Sequence, residues 1–115
     1  MIVTIDFRFT TLNEYILAER THYRKAAAIK KSETEVARLA VLNKHAVSMY
    51  PLDVVCRWFR VNERTDPDNI AFGIKFILDG FVDAGVIAGD AWKHIRSIRH
   101  EFHTASYDYV VVELS

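Results

Sequence analysis

A β-rich run, a polar loop and an apolar helical stripe follow one another in the middle of the chain, and this succession constrains the fold most. Val54–Val61 is rich in β-branched and aromatic residues and predicts a strand. Residues 62–66 are polar and predict a loop. A helix is expected to begin at Asp68 or Asn69, either of which can serve as its N-cap, and to end near Gly85. Its expected buried stripe is Ile70, Ile74, Ile77, Leu78 and Phe81.

The first third of the chain predicts a strand and a helical region. Residues 2–9 alternate in the manner of a strand. The segment Thr11–Glu14 has the form of a capping box and predicts a helical region that extends to about residue 42. Ser32–Glu35 repeats the capping signal, which predicts a break in that region.

Two segments near the C-terminal end, 93–103 and 107–114, are expected to form a β-hairpin, with Tyr109–Val112 as the apolar part of its second strand. The predicted element order is then β-α-β-α-β-β. This order predicts an α+β fold, in which helices pack on one face of a mixed four-stranded sheet.

Glycine and proline are scarce, which argues against a linker. The chain has four glycines and two prolines, and half of its 115 residues are apolar, so one domain over residues 1–115 is expected. No apolar run approaches the roughly 20 residues of a membrane-spanning helix, and the first residues do not resemble a signal peptide. The one cysteine, Cys56, is expected in the core rather than as a nucleophile. A cytoplasmic protein without a membrane partner is predicted.

The charged residues are unevenly distributed although the net charge is zero. Residues 18–44 carry seven basic side chains against three acidic ones, which leaves +4 there and −4 elsewhere. The basic residues are Arg20, Arg24, Lys25, Lys30, Lys31, Arg38 and Lys44. A basic segment beside an acidic cluster suits a protein that holds both phosphate and a cation. A solvated helix face with i,i+4 ion pairs explains the same residues equally well.

Asp66 and Asp68 lie one residue apart where the predicted strand passes into the helix. Pro67 favours an extended Asp66, which lets both carboxylates point the same way. A third carboxylate, Asp90, follows the helix and is able to close a site for a divalent cation such as magnesium. Capping and turn roles are the alternative for each of these aspartates, and spacing alone favours that alternative.

The segment 64–90 contains a longer motif: Asp-x-Asp-Asn, a lysine four residues before an aspartate, and a Gly-Val element that precedes a final aspartate. Its members are Asp66, Asp68, Asn69, Lys75, Asp79 and Asp90. This motif resembles the signature of the RusA family of Holliday-junction resolvases, particularly its phage and prophage members.

The resemblance implies an endonuclease that hydrolyses phosphodiester bonds of four-way DNA junctions in recombination and repair. Asp66, Asp68 and Asp90 would be catalytic residues that bind Mg²⁺, with Mn²⁺ as a substitute. Lys75 would be a catalytic cation at the phosphate, and Asn69 would position the loop. The resemblance also implies a homodimer that cuts opposed strands.

The motif departs from the family at two places. The lysine stands about one helical turn later than in the best-known members, where this chain has Phe72. Gly89 stands where the family often has a second aspartate. A non-catalytic module that binds DNA junctions or single-stranded DNA is the alternative, but such a module gains nothing from clustered negative charge.

Histidines, aromatic residues and basic residues elsewhere carry weaker signals. The spacing of three histidines favours a solvated or DNA-facing strand over a metal site: His94, His100 and His103. Three aromatic residues are expected in the core or at a dimer contact: Trp58, Phe59 and Trp92. Three basic residues are expected as ordinary surface charge, with phosphate contact as the alternative: Lys93, Arg96 and Arg99.

Overall fold

The structure is a computed structural model that describes residues 1–115. It contains four strands and four helices. In chain order they are β1 (Ile2–Ile5), α1 (Leu12–Thr21), α2 (Tyr23–Ala40), β2 (Leu52–Arg60), α3 (Pro67–Ala71), α4 (Ile74–Asp83), β3 (Ile95–Thr104) and β4 (Tyr109–Leu114). The predicted α+β class is confirmed, and each predicted helical region is divided into two helices.

The four strands form one mixed sheet in the order β1-β4-β2-β3. β4 is antiparallel to both β1 and β2, whereas β3 is parallel to β2. The predicted hairpin is therefore wrong, because β2 lies between β3 and β4. The link between those strands passes the end of β2, where the Ala105 amide donates to the Arg60 carbonyl and the Val61 amide donates to Asp108 Oδ1.

The physical reason for this order lies in the burial of the last two strands. Val110, Val112 and Leu114 of β4 are at most 2% exposed, whereas most residues of β3 are exposed. An apolar strand gains most by lying in the middle of a sheet, where neighbours cover it. In this order β4 lies between β1 and β2. The sequence does not indicate this position, because β4 directly follows β3 along the chain.

The helices cover one face of the sheet. Val54, Cys56 and Trp58 of β2 are buried on that face. α4 lies close to α2, because a Cβ added at Gly80 would be only 2.5 Å from the Thr34 carbonyl oxygen and from Ala37 Cβ. The predicted stripe is shared by α3 and α4 and faces this core: Ile77 and Phe81 are completely buried, Ile70 and Leu78 are 7% exposed, and Ile74 packs against them.

Local signals set several helix ends. The Thr11–Glu14 capping box is present in full, and the helix α4 ends before Gly85, which has a φ of 75°. The Val86 amide donates to the Phe81 carbonyl and the Gly85 amide donates to the Val82 carbonyl, which is a Schellman motif. Both predicted signals are confirmed.

The helix break predicted at Ser32–Glu35 is wrong. α2 continues through that segment, and the chain breaks earlier at His22, an extended residue whose Nδ1 accepts a hydrogen bond from the Arg24 amide. Glu33 is 3% exposed and accepts hydrogen bonds from the Thr10 amide and hydroxyl. Its carboxylate therefore fixes the link after β1 onto α2 and does not cap a helix.

The remaining expectations about the core have clear outcomes. Cys56 is buried as predicted, and burial raises the pKa of its thiol to about 12, so it is no nucleophile. The first strand ends at Ile5 rather than at residue 9. None of the helices combines the length and the apolar character needed to cross a membrane.

Candidate metal and nucleic acid site

The turn from β2 into α3 presents both carboxylates of the Asp-x-Asp pair. Asp66 is extended, with φ −64° and ψ 147°, as expected before a proline, and Pro67 is the first helical residue. The N-cap of the helix, Asp66, therefore lies two or three residues earlier than predicted. No side chain forms a cap bond at this end of α3. Asp66 and Asp68 are both exposed, so hydrogen-bonded capping does not account for either carboxylate.

Asp66 lines an open polar hollow of about 270 Å³, which we call the Asp66 hollow. It lies between the β2–α3 turn and the start of α1. Its lining contains no apolar residue and comprises Arg8, Thr11, Asn13, Glu14, Arg64, Thr65, Asp66 and Asn69. Two guanidinium groups and the carboxylates of Glu14 and Asp66 thus line the same space, which is suitable for an anion bound together with a cation.

Asn69 connects this hollow to α1. Its Oδ1 accepts a hydrogen bond of 3.0 Å from the Asn13 amide, which lies 56 residues earlier in the chain. This bond satisfies an amide in the first turn of α1. The position of the β2–α3 turn relative to α1 is thereby fixed by Asn69.

Glu14 holds one of the arginines of the hollow. Arg8 donates a hydrogen bond of 3.0 Å to Glu14 Oε1. Partial burial raises the pKa of Glu14, but hydrogen bonds from Thr11 and Arg8 outweigh that effect, so the pKa lies below its ordinary value. Glu14 is therefore ionised at neutral pH and keeps Arg8 at the rim of the hollow.

A second hollow of about 230 Å³, the Arg60 hollow, adjoins the first one at Thr65. It is lined by the loop after β2 and by the end of β3, including Arg60, Phe102 and His103. Asp108 lines neither hollow but contacts one arginine of each, at 3.8 Å from Arg8 and 3.7 Å from Arg60. The β2–α3 turn is thus flanked by arginines on both sides.

Asp90 lines a different hollow, which we call the Asp90 hollow. It has a volume of about 290 Å³ and lies between α2, α4 and the loop after α4. Its lining residues are Lys30, Thr34, Asp79, Val82, Asp83 and Asp90. Lys75 does not line this hollow but contacts one of its lining residues, since its Nζ lies 3.3 Å from Asp79 Oδ2. The motif residues Lys75, Asp79 and Asp90 are therefore close together on α4 and its following loop.

The structure does not bring Asp66, Asp68 and Asp90 into a single ligand group. No group of three or more His, Cys, Asp or Glu side chains is arranged to hold a metal ion. Asp66 and Asp90 line separate hollows. A site made of all three carboxylates is not assembled in this arrangement, so no catalytic step is assigned to an ion held by all three.

The departure at Gly89 has a structural reason. A Cβ added at Gly89 would lie 2.6 Å from Cε1 and 2.7 Å from Nδ1 of His94. The His94 ring is packed edge-on against Tyr50, with ring centroids 5.4 Å apart, and the Tyr50 hydroxyl accepts a hydrogen bond from the Ala88 amide. The imidazole therefore occupies the space that an aspartate at position 89 would need.

The weaker candidates have distinct places. Trp58 is in the core as expected, and its Nε1 donates to His100 Nδ1. Trp92 is 97% exposed, so the prediction that it lies in the core is wrong. Its role in a dimer contact stays a prediction. Arg96 and Arg99 form ion pairs with Asp53 and Glu101. These two arginines therefore have partners within the chain, as expected of surface charge.

Sequence reasoning missed Arg8, Arg60 and Asp108 as members of the site. Arg8 precedes Asp66 by more than half of the chain's 115 residues, and no local pattern links the two. Their meeting depends on the packing of α1 against α3 and on the path of the chain around the end of β2. No family model matches this chain, and no curated protein matches it either.

Proposed function

We propose that this chain is a metal-dependent, structure-specific DNA endonuclease of the RusA type, which resolves four-way junctions by phosphodiester hydrolysis. The motif from Asp66 to Asp90 is the basis of the proposal. The observation that supports it best is the Asp66 hollow, where Arg8 and Arg64 face the same space as Asp66. A nuclease needs cations for the phosphate beside carboxylates for a metal ion.

The role proposed for the arginines is to bind and orient the DNA backbone. Arginine presents a planar fork of donors that matches phosphate oxygens. Arg8 and Arg60 are both held near Asp108, so their guanidinium groups are restrained before DNA binds. Restrained donors lose less conformational entropy on binding than free ones.

The proposed metal ion is Mg²⁺, with Mn²⁺ as a substitute, and Asp66, Asp68 and Asp90 are its proposed ligands. Magnesium commonly takes only one or two carboxylates and completes its shell with water and substrate phosphate. Asp66 and Asp68 flank the same proline and are both exposed. Asp90 would have to approach them when DNA and metal are bound. When bound, the ion would polarise the phosphodiester and activate a water molecule.

Lys75 is the proposed cation beside the reacting phosphate. It is 55% exposed and paired with Asp79, so the ammonium group is available to exchange that partner for a phosphate oxygen. The ammonium group would stabilise the negative charge that develops in the transition state of hydrolysis. The proposal also includes a homodimer, since a junction with two-fold symmetry requires two cuts. The proposed location is the cytoplasm.

A second candidate, a non-catalytic module that binds single-stranded DNA, is favoured by an aromatic row on the face of the sheet opposite the helices. Phe59 stacks on Tyr109 with ring centroids 4.4 Å apart and on His103 at 5.1 Å. Tyr107 continues the row at 4.8 Å from Tyr109 and is 55% exposed. Stacked aromatic rings bind unpaired bases without sequence preference.

Cleavage of matched four-way and linear DNA, with magnesium and then with a chelator, separates these candidates. The nuclease proposal expects junction cleavage that the chelator abolishes. Asp68→Asn should lower cleavage by orders of magnitude while folding and DNA binding persist, because it removes one negative charge that a hard cation needs. Glu19→Gln is a control with the same change of charge on the exposed face of α1.

A cleavage rate near that of the unmodified protein for Asp68→Asn in magnesium would refute the assignment. DNA binding without any cleavage, weakened by Tyr107→Ala, would support the binding module instead.

A further inference from the structure

The strand β3 leaves one long edge of the sheet without a partner. It has ten residues, Ile95–Thr104, and pairs only with β2. Isolated edges of this length present unpaired backbone groups to any other strand. In monomeric proteins such edges are short, covered, or interrupted by charges and bulges; this edge is ten residues long and able to pair with another strand.

Backbone direction shows which groups of β3 are free. The Ala105 amide donates to the Arg60 carbonyl on β2. Since backbone groups alternate from side to side along a strand, odd-numbered residues in this part of β3 face β2. The amides and carbonyls of Ile98, His100 and Phe102 therefore point outward, away from the sheet.

Both faces of β3 carry side chains with a regular pattern. On the helix side, Ile98 is 44% and Phe102 is 38% exposed, although their neighbours on β2, Val54 and Trp58, are buried. On the opposite side, Arg99 and Glu101 carry opposite charges. In residues 98–102, an apolar residue therefore stands at each end, and a positive and a negative side chain flank the central histidine.

We propose that the β3 edge binds the same edge of a second copy of this chain, antiparallel, with the two-fold axis at His100. The pattern of residues 98–102 is complementary to itself in this register. Arg99 lies opposite Glu101 of the second copy, and Ile98 lies opposite Phe102 of the second copy; both pairs occur twice. Cross-strand pairs of these kinds stabilise a sheet.

The neighbouring registers are unfavourable. An axis at Arg99 places two arginines opposite each other, and an axis at Glu101 places two glutamates opposite each other; like charges in these positions destabilise strand pairing. The axis at His100 pairs opposite charges on one face of the strand and apolar side chains on the other. It also joins the outward amides and carbonyls of the two copies in about six backbone hydrogen bonds.

The extent of the pairing is limited by a bulge. The register between β2 and β3 shifts between Leu52 and Asp53, which leaves Arg96 as the extra residue. Regular pairing then covers residues 97–103 of each copy. The dimer is one continuous eight-stranded sheet with all helices on one side.

This interface supplies the homodimer of the proposed function, but it does not depend on nuclease activity. Thr104 lies beside Arg60 at the end of β3 that borders the Arg60 hollow. Four residues at about 3.3 Å each separate Thr104 from the axis. The two hollows are therefore roughly 26 Å apart along the sheet and related by the two-fold axis, as paired cuts require.

The mass of the protein in solution tests the interface without DNA. Light scattering at tens of micromolar should give twice the mass of one chain. Ile98→Lys should give a single chain, because it places a charge opposite Phe102 of the second copy. Ile2→Lys is the matched control: Ile2 is 57% exposed on the opposite edge strand β1, so the dimer should persist. A wild-type protein with the mass of one chain would overturn the proposal.

Cysteine pairs test the register. Arg99→Cys mixed with Glu101→Cys should form a disulfide between the two variants on oxidation, because directly opposite residues of this type have Cα atoms about 4.5 Å apart. Neither variant alone should crosslink, since Cα atoms beyond about 7 Å cannot be bridged. Cys56 is completely buried and does not compete. A crosslink within either single variant would place the axis elsewhere and overturn the register.

The Glu101 carboxylate also pairs with Arg57, so Glu101→Cys is able to disturb folding. A second mixed pair tests the register without this substitution. Ser97→Cys mixed with His103→Cys should crosslink in the same register. Absence of a crosslink in both mixtures, with both proteins folded, contradicts the proposal. Dimers that form without cleaving four-way DNA in magnesium would leave the interface intact and reject only the nuclease.

Discussion

The indole N–H of Trp58 donates a hydrogen bond of 2.9 Å to Nδ1 of His100, and the two rings lie nearly parallel, at 21°. The bond requires an unprotonated Nδ1, so the neutral imidazole carries its proton on Nε2. Burial lowers the pKa of His100 below its ordinary value of 6.5. The folded protein therefore resists protonation of this ring.

The free energy of unfolding should decrease as the pH falls below about 6.5. The unfolded chain takes up the proton near its unperturbed pKa, while the folded chain does so only at lower pH, so stability is complete above pH 6.5 and is lost as the pH falls. Urea unfolding at one protein concentration, at pH 7.5 and pH 5.0, measures the effect. His100→Gln keeps an acceptor for Trp58 and should show a smaller pH dependence; an equal dependence would contradict the assignment.

Replacement of Lys75 by alanine should separate activity from stability. The Lys75–Asp79 ion pair is an exposed i,i+4 pair, worth about 0.3–0.5 kcal/mol, so unfolding should change little. Cleavage of a four-way junction should fall by about 100-fold if Lys75 stabilises the transition state. Lys93→Ala, also exposed, is the control. Equal cleavage by both variants would remove Lys75 from the site.

A side chain at position 89 should be tolerated only without the His94 ring. Gly89→Ala forces that ring or the loop to move and should destabilise the fold by about 1–3 kcal/mol. In a His94→Ala background the same substitution should cost much less. A double-mutant cycle from urea unfolding measures the coupling, and additive effects would show that the imidazole does not set the requirement for glycine.

Removal of the buried carboxylate at position 33 should destabilise the fold strongly. Glu33 accepts hydrogen bonds from the amide and hydroxyl of Thr10, and bonds to a charged group contribute about 1.5–3 kcal/mol each. Glu33→Ala should therefore cost at least about 2 kcal/mol, and Glu33→Gln, which retains one acceptor, less. Glu35→Ala on the exposed side of the same helix is the comparison and should stay within about 0.5 kcal/mol.

Features encoded within a few residues could be predicted from the sequence. β2, the apolar stripe of α4, the Thr11–Glu14 capping box and the helix stop at Gly85 all depend on neighbouring residues. Within the candidate site, the extended Asp66 followed from Pro67. The sequence predicts a start of α3 that is slightly too late, because Asp68 and Asn69 resemble N-caps although Pro67 begins the helix.

Features set by distant contacts could not be predicted in this way. The side chain of Glu33 looks like part of a capping signal, and only the approach of Thr10 shows why it is buried in the middle of α2. The arginines of the site come from the link between β1 and α1, from β2 and from the loop after β2. The arrangement of Arg8 and Arg60 around Asp108 depends on the tertiary fold. The separation of Asp66 from Asp90 depends on the packing of α4 against α2 in the same way.

The position of β4 between β1 and β2 has a consequence for how the protein is made on the ribosome. β1 is synthesised first but pairs only with β4, and the Met1 amino group donates to the Leu114 carbonyl. In a nascent chain that stops before Tyr109, β1 has no strand partner and β2 lacks one of its two neighbours. Folding of the sheet must therefore wait until residues 109–114 have been synthesised, and until then β1 remains exposed to proteases.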